Sequence, residues 1–202
     1  MSDASIALML QAPEKVRDVG RQLLPKGFQV IEVPQGATDL EAARIVAHTA
    51  YFLGFITKPM AAAFYDALAR TTRLVQLLSA GYDQVDLGRL RERRIPVATN
   101  GAANAVAVAE HTILLMLAVL RQLRTLDART RAGSWRPQGT EGEIYELEGK
   151  TVGLVGLGAI GRHVAARLRP FGVSLQYFDV HRADAEEERT RGVTYVELNA
   201  LL

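Results

Sequence analysis

Short apolar runs alternate with segments of helical spacing along the first hundred residues. The apolar runs predict buried strands at Ile6–Leu10, Phe28–Val33, Phe52–Ile56, Leu74–Leu78 and Pro96–Ala98. The segments between them predict helices at Glu14–Leu24, Asp39–Ala47, Met60–Arg70 and Asp86–Arg94. Strands that alternate with helices are typical of parallel βαβ units, so the pattern predicts an α/β fold.

A different pattern follows, because residues 104–123 are apolar on nearly every side of a helix. Its large apolar residues are Val106, Val108, Ile113, Leu114, Leu115, Met116, Leu117, Val119 and Leu120. Such a helix is expected to be buried all round, between domains or between subunits. Arg121 and Arg124 are placed at its carboxyl end, where a helix favours cations. Residues 127–149 contain several glycines and are predicted to form an irregular connection.

Composition and charge exclude several classes of protein. The chain of 202 residues has 24 basic and 22 acidic side chains, so no strong field indicates nucleic acid or membrane as a partner. Cysteine is absent, which excludes disulfides, thiolate catalysis and cysteine metal sites, and no metal is expected. The amino terminus lacks the positive region of a secretory signal, and a cytoplasmic protein is expected.

The strongest local motif begins at Thr151. An apolar strand over Thr151–Val155 leads into Gly156-x-Gly158-x-x-Gly161, and a helical pattern follows. In such a motif the first glycine allows a tight turn, the second lets backbone approach a pyrophosphate, and the third lets helix and strand pack closely. The free N–H groups of the helix start then favour the phosphate charge.

A second strand, Ser174–Phe178, ends in Asp179, which lies 18 residues after Gly161. This spacing is near that of the carboxylate that binds the adenosine ribose in dinucleotide-binding folds. A carboxylate there favours NAD, since it repels a 2′-phosphate, whereas Arg182 would soften that preference. Two other interpretations stay open: a glycine-rich turn without a ligand, and an Asp179 that merely ends a strand.

Three blocks together resemble the D-isomer-specific 2-hydroxyacid dehydrogenases, which include glyoxylate/hydroxypyruvate reductases, phosphoglycerate dehydrogenase and formate dehydrogenase. The first block is Leu77-Leu78-Ser79-Ala80-Gly81-Tyr82-Asp83-Gln84-Val85-Asp86-Leu87. The second runs from Val97-Ala98-Thr99-Asn100-Gly101 through Asn104 to His111 and into the apolar helix. The third is the glycine motif with Asp179. Their order and spacing match the family over essentially the whole chain.

The resemblance implies two domains with the active site in the cleft between them. Residues 1–99 would form a flavodoxin-like substrate domain, and residues 100–202 the first part of a Rossmann NAD-binding domain. Backbone N–H groups at Ala80 and Gly81 would hold the substrate carboxylate, although Gly81 has the alternative of simply ending its strand. Asn104 would face the substrate, or would only cap the helix.

The same resemblance implies the residues that would bind the cofactor. Val108 would lie near the nicotinamide, and the NAD-binding segment would comprise Gly156, Gly158, Ala159, Ile160, Gly161 and Asp179. Ala159 stands where many relatives have an arginine, so one charge that faces the phosphate is missing. The family's catalytic arginine, glutamate and histidine would follow Leu202. The chain is therefore expected to be a fragment of a longer enzyme and to contain none of that enzyme's catalytic residues. His111 is instead expected to be a core histidine.

The function implied is an NAD-dependent oxidoreductase acting on the CH–OH group of a small D-2-hydroxyacid, or reducing a 2-oxoacid such as glyoxylate or hydroxypyruvate. A catalytically inactive NAD(H)-binding sensor or partner-binding module is the alternative. Because relatives pair through the cofactor domain, helix 104–123 is expected to form a homodimer interface.

Overall fold

The computed structural model describes residues 5–9, 14–134 and 144–202. These residues form two compact units, Met1–Gly101 and Ala102–Leu202. The sequence places the division at residues 99 and 100, two residues before the division that the structure shows. Each unit contains its own parallel sheet and its own buried apolar cluster.

The first unit is built on a five-stranded parallel sheet in the order β2-β1-β3-β4-β5. Its strands are β1 Ser5–Met9, β2 Gln29–Glu32, β3 Tyr51–Gly54, β4 Leu74–Leu77 and β5 Val97–Ala98. Its helices are α1 Glu14–Leu23, α2 Asp39–Val46, α3 Ala62–Leu68 and α4 Leu87–Glu92. This strand order is that of flavodoxin-like folds, in which ligands bind beyond the carboxyl ends of the strands.

Local sequence explains where these elements begin and what they bury. Thr38 starts α2 through a capping box, in which its hydroxyl accepts from the Glu41 N–H and the Glu41 carboxylate accepts from the Thr38 N–H. Strands β3 and β4 alternate half-buried and buried positions, so Phe52 and Val75 lie in the core without exposure. Helix α3 adds Phe64 to the same cluster.

The second unit contains a three-stranded parallel sheet in the order β6-β7-β8. Its strands are β6 Thr151–Val155, β7 Ser174–Phe178 and β8 Val193–Tyr195. Its helices are α5 Ala105–Leu120, α6 Leu123–Arg131, α7 Ala159–Leu168, α8 Ala185–Arg191 and α9 Leu198–Leu201, with a 3-10 turn at Arg169–Phe171. The predicted α/β class with parallel βαβ units is confirmed.

The predicted helix over residues 104–123 is shorter than expected and is followed by a second helix. Gln122 has a φ of 48° in the left-handed region, which ends α5 and separates it from α6. Arg121 lies at the end of α5 as predicted, but Arg124 belongs to the first turn of α6. The prediction of an irregular segment from residue 127 was wrong up to Arg131, and residues 135–143 lie outside the described part of the chain.

Helix α5 buries one face within its own unit and leaves other apolar side chains exposed. Ala105, Ala109 and Ile113 are buried, whereas Leu114, Leu115 and Val119 are 53%, 51% and 74% exposed. His111 is exposed as well, so its prediction as a core histidine was wrong. Among the described residues no single helix is long and apolar enough to cross a membrane. Only α5 and α6 together, bent by 63°, reach that length and composition.

Candidate functional site

The glycine motif forms the link between β6 and α7. Gly156 has a φ of +98°, a conformation that side chains disfavour, and its N–H donates to the Phe178 carbonyl oxygen at 2.7 Å. This hydrogen bond continues the pairing of β6 with β7 by one residue and then releases the chain into the turn. Gly156 therefore fixes where the strand ends, as the motif predicts.

Gly161 lies where the new helix passes close to the turn. A Cβ atom on Gly161 would lie 2.3 Å from the Gly156 carbonyl oxygen, which is closer than any side chain tolerates. The third glycine of the motif is therefore required for packing of α7 against the strand end, independently of any ligand.

Gly158 differs, because a Cβ atom there would meet nothing within 4 Å. It occupies the N-cap position of α7, and no side chain caps that helix. The first helical bond runs from the Arg162 N–H to the Gly158 carbonyl oxygen at 2.9 Å. In the described part of the chain, the N–H groups of Ala159, Ile160 and Gly161 have no hydrogen-bond acceptor.

These three residues therefore present free N–H groups at the positive end of a ten-residue helix. Ala159 and Ile160 are exposed, so a ligand can approach this end of the helix from solvent. A pyrophosphate placed there would satisfy the unpaired donors, and the open space above Gly158 allows its close approach. The loop thus fits the phosphates of a dinucleotide.

Asp179 follows β7 and its carboxylate is held on both oxygens. Oδ2 accepts from the Leu157 N–H inside the glycine loop at 2.7 Å, and Oδ1 accepts from the His181 N–H at 3.0 Å. These hydrogen bonds, first from His181 and then from Leu157, lower the pKa of Asp179 below its ordinary value of 3.8. The side chain is therefore ionised at neutral pH.

An ionised carboxylate has about four acceptor positions, so two backbone donors leave capacity for further donors. Asp179 is half-buried and adjoins the glycine loop through Leu157. The geometry fits an acceptor for the two hydroxyl groups of an adenosine ribose whose phosphates lie on α7. The structure thus brings Gly156, Gly158, Gly161 and Asp179 together at the carboxyl ends of β6 and β7.

The Arg182 side chain, three residues after Asp179, already has partners of its own. Its guanidinium donates to the Glu188 carboxylate and lies over the Tyr195 ring. Sequence reasoning identified Arg182 but missed Glu188, because a six-residue separation across a turn matches no periodic pattern.

The predicted substrate residues of the first unit lie on an exposed loop after β4. Asn100 holds this loop, because its N–H donates to the Ser79 carbonyl oxygen at 3.0 Å and its amide nitrogen to the Leu78 carbonyl oxygen at 3.3 Å. Ala80 and Gly81 are exposed, and their N–H groups have no acceptor among the described residues. Such free backbone donors at a strand end can hold a carboxylate.

Asn104 and Val108 lie at the start of α5. Asn104 occupies the N-cap position, but its side chain makes no capping hydrogen bond and is exposed. The position fits the capping interpretation, whereas the side chain is free for another partner. Val108 is half-buried one turn later.

Residues 113–202 match the family model described as the NAD binding domain of the D-isomer specific 2-hydroxyacid dehydrogenases. This match covers the glycine loop, Asp179 and α8, and NAD is confirmed as the predicted cofactor.

Similar sequences come from the same group of proteins. Formate dehydrogenase 2, mitochondrial, of Oryza sativa subsp. japonica is 37% identical over 152 residues, which is 73% of this chain and 40% of the relative. A protein of Staphylococcus epidermidis named as a 2-hydroxyacid dehydrogenase is 31% identical over 192 residues, or 93% of this chain and 59% of the relative. The chain therefore spans about half the length of these relatives.

Solved structures agree with the sequence comparisons. A glyoxylate reductase from Paecilomyes thermophila superposes with a TM-score of 0.82 at 25% identity, over 100% of this chain and 62% of that chain. A pyruvate reductase of Chlamydomonas reinhardtii gives a TM-score of 0.78 at 27% identity, over 98% and 58%. On its motifs, its fold and these matches, the chain belongs to the D-isomer specific 2-hydroxyacid dehydrogenase family.

Proposed function

We propose that this chain is the substrate-binding and nucleotide-binding part of an NAD-dependent oxidoreductase. The enzyme acts on the CH–OH group of a small D-2-hydroxyacid, or reduces a 2-oxoacid such as glyoxylate or hydroxypyruvate. The observation that carries the proposal is the Asp179 carboxylate, bound at 2.7 Å to the Leu157 N–H of the glycine loop. It supports the assignment of Asp179 as a ribose acceptor next to the loop that precedes α7.

The substrate class is supported by the loop after β4. Two adjacent free N–H groups, at Ala80 and Gly81, suit the paired oxygens of a small carboxylate better than an apolar ligand. The similar proteins are named for glyoxylate, pyruvate and formate, which are small carboxylates as well. We assign Ala80 and Gly81 of the first unit to carboxylate binding and, as a separate assignment, Asn104 of the second unit to a polar contact with a substrate.

When bound, the nicotinamide supplies or accepts the hydride. The residues of this chain would hold the two reactants: the α7 N–H groups bind the pyrophosphate, Asp179 binds the ribose, and Val108 contacts the nicotinamide side. We assign the transfer of the proton to no residue of this chain, and His111, on the exposed side of α5, is not given that role.

We also propose a homodimer that buries the exposed apolar side chains of α5. Leu114, Leu115 and Val119 are each at least half exposed in the single chain. Exposure of such a group of apolar side chains to water is unfavourable. A two-fold interface would cover them with the same helix of a second copy.

The test is a titration of the 202-residue chain with NADH, followed by titration of the NADH complex with glyoxylate and hydroxypyruvate. Saturable NADH binding with saturable binding of a 2-oxoacid to that complex supports the dehydrogenase. NADH binding without binding of either 2-oxoacid favours the alternative, an inactive NAD(H)-binding sensor. Absence of NADH binding would contradict both.

Asn104→Ala separates the substrate role from a structural one. Because the Asn104 side chain makes no capping hydrogen bond, its removal leaves stability nearly unchanged, within about 0.5 kcal/mol. We expect a higher dissociation constant for the 2-oxoacid on the NADH complex, with an unaltered NADH dissociation constant. A loss of helix stability without a change in the 2-oxoacid dissociation constant would indicate capping instead.

A further inference from the structure

A cationic side chain follows the ribose-binding carboxylate by three residues. Arg182 could in principle form paired hydrogen bonds with the 2′-phosphate that distinguishes NADPH from NADH, since guanidinium and phosphate match in geometry. Whether the site favours one nucleotide therefore depends on what already occupies the Arg182 guanidinium.

Glu188, on α8, already binds the Arg182 guanidinium. Arg182 donates from Nε to Glu188 Oε1 at 2.8 Å and from Nη2 to Oε2 at 3.1 Å, so both carboxylate oxygens are used. The Arg182 side chain is 62% exposed, whereas the Glu188 side chain is only 14% exposed. The pair is thus anchored at its acidic member.

Two tyrosines fix this pair. The buried Tyr177 donates its hydroxyl proton to Glu188 Oε1 at 2.9 Å, and the same hydroxyl accepts from the Ala183 N–H at 2.9 Å. The Tyr195 ring lies under the Arg182 guanidinium, 5.0 Å from ring centroid to Cζ. We name Arg182, Glu188, Tyr177 and Tyr195 the arginine clamp.

The charges of the clamp persist over the pH range of nucleotide binding. The paired hydrogen bonds with Arg182 lower the pKa of Glu188, and those with Glu188 raise the pKa of Arg182. The guanidinium is therefore neutralised by an adjacent anion, while the Asp179 carboxylate remains ionised and fixed by its two backbone donors.

We propose that Glu188 determines nucleotide specificity by withholding Arg182 from the 2′-phosphate of NADPH. Repulsion from Asp179 and the loss of an available cation then act in the same direction and favour NADH. This inference rests on the proposed nucleotide site, and it assigns a role to a residue that need not touch the cofactor.

The test uses Glu188→Gln in the 202-residue chain, with NADH and NADPH dissociation constants measured by nicotinamide fluorescence. Glutamine retains an acceptor for the Tyr177 hydroxyl but removes the charge that holds Arg182. We expect NADPH to bind about three- to fivefold more tightly, with NADH affinity nearly unchanged. Adenosine 2′,5′-bisphosphate should show the same gain relative to 5′-AMP, which is a readout without catalysis.

Glu186→Gln is the matched control, because Glu186 is exposed on the same helix and makes no ion pair among the described residues. It removes the same charge and should leave the NADPH-to-NADH ratio unchanged. Arg182→Ala added to Glu188→Gln should abolish the gain. An equal effect of Glu186→Gln and Glu188→Gln, or a gain that survives Arg182→Ala, would overturn the proposal.

Arg182→Ala alone is a second test that does not depend on the folding of the Glu188 variant. If the guanidinium is withheld, its removal leaves NADPH affinity unchanged. Weaker NADPH binding would mean that Arg182 already reaches the phosphate, and the proposal would fall. Failure of the proposed site is distinct, because the unsubstituted chain would then bind neither nucleotide.

Discussion

At the scale of single residues, the glycine loop contains two positions that need glycine for different physical reasons. A Cβ atom at Gly161 would overlap a backbone oxygen of the same unit, whereas a Cβ atom at Gly158 would extend into open space. The first constraint belongs to the fold and the second to the ligand. One substitution at each position can therefore separate folding from binding.

Gly161→Ala is expected to destabilise the second unit by about 1–3 kcal/mol, because backbone atoms must move to relieve the 2.3 Å contact. For a unit of this size, that change lowers the melting temperature by at least about 4 °C. Thermal unfolding followed by circular dichroism measures it.

Gly158→Ala is the matched control. Its φ of −71° and ψ of −162° suit alanine, so the melting temperature should not fall. NADH affinity should nevertheless fall about tenfold or more, because the new methyl group occupies the approach of the pyrophosphate. Equal melting temperatures for the two variants would contradict this division of roles.

Sequence reasoning at this scale succeeded where one residue type has one physical reason. The glycine spacing and the position of Asp179 after β7 predict a loop and a carboxylate that the structure joins through Leu157. The exposure of His111 was not predictable from helical spacing, because α5 is apolar in most directions and its buried face is decided by α7. Glu188 was missed since its partnership depends on a turn.

At the scale of elements, helix α5 leaves part of its apolar surface exposed in the single chain. Ala105, Ala109 and Ile113 are buried, and other apolar side chains such as Leu114 remain exposed. The sequence predicts the apolar character correctly, but the break at Gln122 and the helix α6 beyond it carry no proline or glycine signal. A left-handed residue without glycine is rarely visible in sequence.

Leu114→Asp is expected to dissociate the proposed homodimer, since a charge in the centre of a buried apolar interface leaves an unpaired anion. Sedimentation velocity of the unsubstituted chain should give twice the monomer mass, and that of the variant 22.1 kDa. Leu40→Asp is the control, because Leu40 is a helical leucine of similar exposure, 57% against 53%, in the first unit. A monomeric unsubstituted chain, or a dimeric Leu114 variant, would contradict the proposal.

At the scale of the whole molecule, the chain consists of two units with separate sheets and separate apolar clusters. The alternation of apolar runs with helical segments predicts their parallel strands, because each βαβ crossover leaves a recognisable period. Strand order depends on pairing between residues that are distant in the sequence, so the local periodicity of the sequence does not predict it. The order in the first unit was implied only by the family resemblance, as a flavodoxin-like domain, and the observed order β2-β1-β3-β4-β5 agrees with it.

Separate cores predict separate responses to the cofactor. NADH at about 100 times its dissociation constant should stabilise the second unit by about 2.7 kcal/mol and leave the first unit unchanged. Differential scanning calorimetry should show two transitions, of which one moves upward by roughly 10 °C or more.

Two core substitutions assign the transitions. Leu77→Ala should lower the melting temperature of the first unit only, which is the transition that NADH leaves in place. Leu175→Ala should lower that of the second unit only, which is the transition that NADH raises. Each substitution should reduce the free energy of unfolding of its unit by about 2–5 kcal/mol. Both leucines are buried, in β4 and β7 respectively. A single transition that NADH and both variants move together would show that the units unfold as one.

The hydrogen bonds of Asp179 have a consequence for the entropy of nucleotide binding. A free carboxylate side chain would lose rotamer freedom when it meets a ribose, and that loss would weaken the affinity. Here the Leu157 and His181 N–H groups restrict the side chain as soon as the unit folds. The acceptor is therefore preorganised, and the adenosine end of a dinucleotide would meet a surface that does not have to rearrange.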